Sequence, residues 1–307
     1  MAAAMRGLVV QGGGMRGIYS AGAMSALADA GLADSFSHIY ASSSGAINAA
    51  YLMSGQTDFV AAGYAEHLNK ASPFIRYWRL TKLVDIDYLV DSILKHPDFS
   101  LDVRAVVNSP TTLNIVVTDL QTAEAVEITS KDIAGWDASG QAFYELLRAT
   151  SALPLFYGRA VEIAGGTYVD GGVSDAIPLL RAIAAGCTDI TVVTTRNPGF
   201  RRTEKRGIKR ILGSFLLSAY SKALRHQLLN EDLLFNKTMN LLQNPSELAD
   251  KIQITWISPS DDSRLAGRTT RGRAKLWDCA RMAREDVFRA LGVSIAKINL
   301  LADVRQP

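Results

Sequence analysis

Residues 39–48 read IYASSSGAIN and contain three consecutive serines between an apolar run and a stretch of small residues. A serine on a sharp turn from a strand into a helix can attack an ester, provided that the residues two places before and after it are small. Ser43 has Ala41 and Gly45 at these two places. We therefore predict that Ser43 is a nucleophile.

Two other interpretations of this turn stay open. Ser44 has Ser42 and Ala46 at the same spacing, and these side chains are small enough to be tolerated in such a turn. The register can therefore differ by one residue, with Ser44 as the nucleophile. A serine between a strand and a helix also commonly caps the helix and then does no chemistry. The pattern A-S-S-S-G carries Ala41 where such a turn usually has glycine. The case for a nucleophile therefore depends on its partners.

A nucleophilic hydroxyl needs a proton acceptor within hydrogen-bond reach. The four histidines, at positions 38, 67, 96 and 226, lie in contexts typical of surface or packing residues. The segment YVDGGVSDAIP offers a carboxylate instead, because Asp170 follows a short apolar run and precedes Gly171 and Gly172. Two glycines permit a tight turn and a close approach of the backbone. Asp170 is therefore the predicted base.

The sequence QGGGMRG at residues 11–17 follows the first predicted strand and precedes the first predicted helix. Its glycines fit the G-x-G-x-x-G pattern, but the second predicted strand, SHIYAS, ends without the acidic residue that a dinucleotide site uses. The alternative is an oxyanion hole, because glycine amides can converge at a helix N-terminus, with Gly13 and Gly14 as favoured donors. Arg16 either anchors this loop through a salt bridge or contacts a phosphate.

Strand and helix signals alternate along the chain, with GLVVQ, SHIYAS, LNIVVTDL and DITVVTT as strand-like runs. This alternation predicts an α/β fold with a mostly parallel central sheet flanked by helices. No linker divides the 307 residues. We expect one domain over residues 1–307, with an α/β core at 5–196 and a helical part at 197–307 that completes the fold.

The composition of the chain bears on its metals, cofactors and location. The chain has 33 Lys and Arg against 30 Asp and Glu, for a net charge of +3. Cys187 and Cys279 lack the spacing of a metal site, and no run approaches the ~20 apolar residues of a membrane span. We expect no metal, no cofactor and a cytoplasmic location, with peripheral contact to a membrane left open.

The segment from Arg196 to His226 is strongly basic, with nine Lys and Arg against the single acid Glu204. Apolar residues recur in it at helical spacing from Ile208 to Leu224, which predicts a basic amphipathic helix. Such a helix either contacts an anionic membrane through residues 201–226 or packs on the core with a solvated charged face. Few aromatic residues accompany the charges, which disfavours nucleic acid as a partner.

Four segments together resemble the patatin-like phospholipase family. They occur in the family's order and read GGGMRG at 12–17, SSSGAINAA at 42–50, RATSALPLFY at 148–157 and DGGVSDAIP at 170–178. The resemblance implies a three-layer α/β/α fold and a Ser-Asp dyad without histidine, with Ser43 as nucleophile and Asp170 as base. It also implies an oxyanion hole formed by backbone amides of five residues, namely Gly12, Gly13, Gly14, Met15 and Ser44.

The expected activity is hydrolysis of lipid acyl esters, of the phospholipase A or lipid esterase type, and the expected partner is a lipid ester. The alternative is a catalytically weak protein of the same fold that binds lipid, which Ala41 and the extra serines motivate. The segment LVDIDYLVDSIL at 83–94 also resembles the family, and we expect its Asp85 and Asp87 to cap a helix rather than do chemistry. After about Asn197 the resemblance becomes loose.

Overall fold

A computed structural model of the chain describes residues 5–68, 84–98, 100–136, 139–204 and 217–293. Within these residues, eight strands form one sheet. The strands are β1 (Arg6–Val10), β2 (His38–Ser42), β3 (Thr112–Asp119), β4 (Ala125–Thr129), β5 (Val161–Ile163), β6 (Gly166–Asp170), β7 (Asp189–Val193) and β8 (Gln253–Ile257). β3, β2, β1, β7 and β8 run parallel in that order, whereas β4, β5 and β6 join antiparallel. The predicted mostly parallel α/β sheet is confirmed.

The α-helices of the described residues are α1 (Ile18–Asp29), α2 (Ser44–Met53), α3 (Thr57–Ala62), α4 (Val103–Asn108), α5 (Ser130–Trp136), α6 (Gln141–Ser151), α7 (Leu179–Ala184), α8 (Lys222–Leu229), α9 (Glu231–Gln243) and α10 (Arg273–Ala290). Short 3-10 turns occur at Gly14–Gly17, Ala33–Ser35, Gly171–Val173 and Pro245–Glu247, and π-helical turns at Gly63–Leu68 and Tyr88–Ile93. None of the described helices is both long enough and apolar enough to cross a membrane.

The helices cover both faces of the sheet. Side chains alternate along a strand, so Leu8 and Val10 of β1 point to one face and Val9 to the other. Leu8 and Val10 belong to the large buried cluster that includes α1, α2, α6 and α10, whereas Val9 packs with α7 and α9. The result is the expected three-layer α/β/α arrangement.

Two strands meet end to end on one edge of β3. Residues 114–116 pair with both β2 and β4, and residues 117–118 pair with both β4 and β6. Because a strand has only two edges, β2 and β6 must lie on the same edge, opposite β4. They run toward each other, since β2 is parallel and β6 antiparallel to β3. Their last residues, Ser42 and Asp170, therefore face consecutive residues of β3.

The predicted basic helix is wrong at its C-terminal end. Residues 217–220 form turns, and α8 begins only at Lys222, where the Ser221 hydroxyl caps it by accepting a hydrogen bond of 3.1 Å from the Leu224 amide. Because this cap starts a new helix at Lys222, the apolar spacing that runs to Leu224 does not belong to one continuous helix. Residues 205–216 of the segment lie outside the described residues. Arg201 and Arg202 hydrogen-bond to α9, through the side chains of Asn240 and Glu231 respectively.

Candidate active site

Ser43 lies between β2 and α2 on a strained turn. Its backbone has φ 55° and ψ −139°, a conformation that a residue with a side chain rarely adopts. The turn is tight enough to require Gly45, because a Cβ there would lie 2.5 Å from the Val10 carbonyl oxygen. Ala41 is fully buried in β2, which accommodates its methyl group. The turn therefore has the geometry of a nucleophile elbow.

The carboxylate of Asp170 holds the Ser43 hydroxyl. Ser43 Oγ donates a hydrogen bond of 2.9 Å to Asp170 Oδ2, and the Gly172 amide donates one of 2.7 Å to Asp170 Oδ1. The next residue, Gly171, passes so close to β3 that a Cβ would lie 1.9 Å from the Val116 carbonyl oxygen. The two glycines after Asp170 thus have separate uses: one permits the approach to β3, and the other orients the carboxylate.

Burial raises the pKa of Asp170 to about 6, since the residue is only 5% exposed. The hydrogen bonds from Gly172 and Ser43, and the positive charges of Arg268 and Arg202, oppose this rise. A carboxylate in this balance is ionised at neutral pH and is more basic than an exposed aspartate. It can accept a proton from the serine to which it is bonded.

Thr150 fixes the elbow from the other side. The Ser43 amide donates a hydrogen bond of 2.8 Å to Thr150 Oγ1, and this hydroxyl donates one of 2.6 Å to the Val116 carbonyl oxygen of β3. Thr150 is fully buried near the end of α6. Sequence reasoning gave this threonine no role, although it lies in the segment RATSALPLFY that carries part of the family resemblance.

The five predicted oxyanion donors divide into two groups. The Gly13 amide donates a hydrogen bond of 2.9 Å to Ser44 Oγ, and the Met15 amide one of 3.0 Å to the Arg268 carbonyl oxygen. The amides of Gly12, Gly14 and Ser44 make no hydrogen bond within the described ranges of the chain. We call these three the open amides, because no described residue accepts a hydrogen bond from them.

The loop that carries these amides is anchored to the end of β7. Thr195 Oγ1 donates a hydrogen bond of 2.8 Å to the Gly12 carbonyl oxygen, and the Thr195 amide donates one of 2.8 Å to Gln11 Oε1. Arg16 Nε donates a hydrogen bond of 3.3 Å to the same Thr195 hydroxyl. No carboxylate of the described residues pairs with Arg16, so the salt-bridge interpretation of Arg16 is not borne out.

Ser43 opens into a cleft of about 1320 Å³, including its open mouth. One wall is apolar and includes Ile47, Val60, Leu89, Ile93, Leu153 and Phe156. The lining also has a polar part, which includes Arg202, Glu231 and Arg268. No histidine of the described residues lines the cleft. A hydrocarbon chain fits the apolar wall, and a charged group fits the polar part of the lining.

Asp85 and Asp87 have different roles. Asp85 Oδ1 accepts a hydrogen bond of 3.0 Å from the Tyr88 amide at the start of a π-helical turn, which agrees with the predicted capping. The carboxylate of Asp87 caps nothing and instead pairs with Arg148 and Arg159. The capping prediction is therefore wrong for Asp87, because two guanidinium groups from distant parts of the chain compete for its oxygens.

Comparison with known proteins identifies a family, and the matches include a curated protein and a solved structure. A family model described as patatin-like phospholipase matches residues 8–183. The uncharacterized protein YjjU of Escherichia coli (strain K12) is 28% identical over 190 residues, which cover 61% of this chain and 51% of that protein. The chain thus spans about half the length of this curated relative. The crystal structure of VipD from Legionella pneumophila aligns with 95% of this chain and 67% of that chain, with a TM-score of 0.46 and 14% identity.

Proposed function

The chain belongs to the patatin-like phospholipase family, and we propose that it is a serine acyl hydrolase that cleaves lipid acyl esters. The observation that carries this proposal is the 2.9 Å hydrogen bond from Ser43 Oγ to Asp170 Oδ2, two residues that line a cleft with an apolar wall. A hydroxyl activated in this way attacks carbonyl carbons, and an apolar wall favours substrates with hydrocarbon chains.

Acylation begins when Ser43 Oγ attacks the ester carbonyl carbon and Asp170 Oδ2 takes the hydroxyl proton. The negative charge on the carbonyl oxygen is stabilised by the open backbone amides of Gly12, Gly14 and Ser44. The bond to the alcohol oxygen then breaks, and Asp170 returns the proton to that oxygen. The acyl group remains on Ser43 as an ester.

Deacylation reverses these roles with water as the nucleophile. Asp170 takes a proton from the water as its oxygen attacks the acyl-enzyme, and it returns the proton to Ser43 Oγ as the fatty acid leaves. Because the carboxylate accepts from Ser43 directly, no histidine is needed between them. The Gly172 amide holds Asp170 in one orientation through both steps.

The apolar wall gives the acyl chain a binding site. Each methylene that leaves water for an apolar surface contributes about 0.8 kcal/mol. The wall is built by α2, α3 and the π-helical turn at Tyr88–Ile93, through Ile47, Val60 and Leu89. We expect esters of longer acyl chains to have lower KM values until the chain exceeds the length of the cleft.

Fluorophosphonate labelling, with mass spectrometry of the modified peptide, tests the proposal. The label should attach to Ser43, disappear in Ser43→Ala and fall sharply in Asp170→Asn. Ser42→Ala is the matched control, because Ser42 is buried and its hydroxyl bonds to the Ala176 carbonyl oxygen rather than to Asp170. A label on Ser44 would shift the elbow by one residue. The absence of any label would refute the proposal.

A second candidate function is lipid binding with little or no turnover. The observation in its favour is the hydrogen bond from the Gly13 amide to Ser44 Oγ, which occupies one predicted oxyanion donor. This candidate predicts that the protein binds fatty esters and that Ser43→Ala leaves their binding unchanged. Ester hydrolysis that depends on Ser43 would exclude it.

A further inference from the structure

A cavity beside the cleft that contains Ser43 is lined by four arginines from three separate parts of the chain. Arg16 belongs to the glycine loop, Arg196 and Arg202 follow β7, and Arg268 precedes α10. The cavity measures about 720 Å³ including its open mouth. Arg16, Arg202 and Arg268 also line the cleft that contains Ser43, so the cavity adjoins that cleft.

Arg16 is buried without a compensating acid. Its side chain is 3% exposed, and its Nε bonds only to the neutral Thr195 hydroxyl. Its two terminal nitrogens have no acceptor within the described parts of the chain. Burial, together with the charges of Arg196 and Arg268, lowers the pKa of Arg16. A buried cation that lacks a partner is costly, and a bound anion would offset that cost.

Two phenylalanines hold two of the other arginines in place. The Arg196 guanidinium lies over the Phe200 ring at 4.1 Å, and the Arg202 guanidinium lies over the Phe235 ring at 4.4 Å. The two rings meet edge to face at 5.9 Å. Stacking fixes the planes of both guanidinium groups before any ligand arrives. Arg196 Nε is buried and has no hydrogen-bond partner, so it too has a vacant donor.

The lining of the cavity is positive overall. Two carboxylates, those of Glu231 and Asp232, line it together with the four arginines, which leaves an excess of two positive charges. Glu231 Oε2 pairs with Arg202 at 3.2 Å. The charge balance favours an anion over a neutral or zwitterionic group, because a cation on the ligand would be repelled by the guanidinium groups that remain.

We propose that this cavity binds the phosphate of a lipid whose head group carries no cation, while the acyl ester of the same lipid lies at Ser43. The inference rests on the proposed function and adds the head-group class to it. Guanidinium groups are the side chains best suited to phosphate, since they form paired charged hydrogen bonds. Three of the four arginines lie beyond residues 8–183, the range that matches the family. The selection of a head group thus depends mainly on residues that follow the part of the chain matched by the family.

The test compares kcat/KM for phosphatidylglycerol and phosphatidylcholine that carry the same two short acyl chains, below their critical micelle concentrations. We expect a preference of roughly tenfold for phosphatidylglycerol, a size typical of one charged hydrogen bond. Arg196→Gln and Arg268→Gln should each reduce the preference toward one. Arg268→Lys should keep most of it. Arg104→Gln, which removes the same charge from an exposed site on α4, should keep all of it.

Direct binding separates this inference from the proposed function. Ser43→Ala protein is titrated calorimetrically with both lipids and with inorganic phosphate at constant ionic strength. Phosphatidylglycerol should bind roughly tenfold tighter than phosphatidylcholine or phosphate. If p-nitrophenyl butyrate and both lipids resist hydrolysis but this binding order holds, the proposed function fails and the head-group site stands. Equal binding of the two lipids, or phosphate that binds as tightly as phosphatidylglycerol, would overturn the inference.

Discussion

Ser43 Oγ lies 2.9 Å from Asp170 Oδ2, although 127 positions separate the two residues along the chain. The pair is a consequence of the sheet, because β2 and β6 run toward each other along one edge of β3 and each ends next to the other. Gly45 and Gly171 let the backbone pass within contact distance of its neighbours at both strand ends. The sheet therefore sets the relative position of these two residues.

Asp170→Asn should remove the base and preserve its position. The amide oxygen can still accept from the Gly172 amide, but the side chain can no longer take a proton from Ser43. We expect kcat for p-nitrophenyl butyrate to fall by about 10³, within the usual range for a general base. Asp175→Asn is the control, since Asp175 is also a buried aspartate but pairs with Arg181 at 3.1 Å and lies outside the cleft. Equal losses in the two variants would contradict the assignment.

The pH dependence of the reaction should follow the same carboxylate. Burial raises the pKa of Asp170 to about 6, and the base works only when it is ionised. For a neutral ester we therefore expect kcat/KM to increase with pH, to reach half its maximum near pH 6 and to level off above pH 7. Arg268→Gln should move the midpoint to higher pH, because the Arg268 charge lowers the pKa of Asp170. A profile that is flat from pH 5 to 8 would exclude Asp170 as the base.

The free energy of unfolding should decrease with rising pH over part of the range in which kcat/KM increases. The unfolded chain releases the Asp170 proton near pH 4, whereas the folded chain holds it until about pH 6. Between these values the folded state binds more protons, so the free energy of unfolding decreases as pH rises, by roughly 3 kcal/mol in total. Urea unfolding of the wild type and of Asp170→Asn at pH 4.5 and 7 isolates this contribution. The variant should lack it.

Much of the candidate site could be predicted from sequence because its parts are local patterns. The small residues around Ser43, the glycines after Asp170 and the glycine loop at residues 12–14 each reveal a tight backbone turn. The alternation of strands and helices likewise predicted the sheet that holds them. Each of these signals lies within about ten residues of the chain.

The remaining features depend on residues that only the fold brings together. Thr150 bonds to the Ser43 amide across 107 positions, and the Arg268 carbonyl oxygen accepts from the Met15 amide. The hydrogen bond from Gly13 to Ser44 also spans two separate motifs. Asp87 is a further example. A helix cap can be predicted from neighbouring residues, whereas the ion pairs of Asp87 with Arg148 and Arg159 join distant parts of the chain. Spacing along the chain carries no information about such contacts.

Thr150→Val should loosen the nucleophile elbow. Valine has the shape of threonine but lacks the hydroxyl, so the half-buried Ser43 amide loses its acceptor and the buried Val116 carbonyl loses a donor. An unsatisfied buried polar group costs about 1–3 kcal/mol. We expect urea unfolding to show a loss of this size, together with a fall in kcat. Thr150→Ser keeps the hydroxyl and should retain most of both. Equal effects of valine and serine would mean that the methyl group, rather than the hydroxyl, supports the elbow.

Gly14→Ala should show whether the glycine loop contributes to kcat, apart from the strain that alanine causes at a positive φ. Gly14 has φ 58°, and a Cβ there would lie 3.0 Å from the Arg268 carbonyl oxygen, so we expect the alanine to displace the Gly14 amide. Loss of one oxyanion donor typically lowers kcat by about 10² to 10³.

The matched control is Gly31→Ala, because Gly31 also has a positive φ, 73°, but no atom lies within 4 Å of the position that its Cβ would occupy. Both variants should lose about 1 kcal/mol of stability, since alanine is strained at a positive φ. Only Gly14→Ala should lose activity, measured as kcat for p-nitrophenyl butyrate at saturating substrate. If Gly14→Ala lowered stability alone, the oxyanion would have to be stabilised by the amides of Gly12 and Ser44 without it, because Gly13 and Met15 already donate to acceptors within the protein.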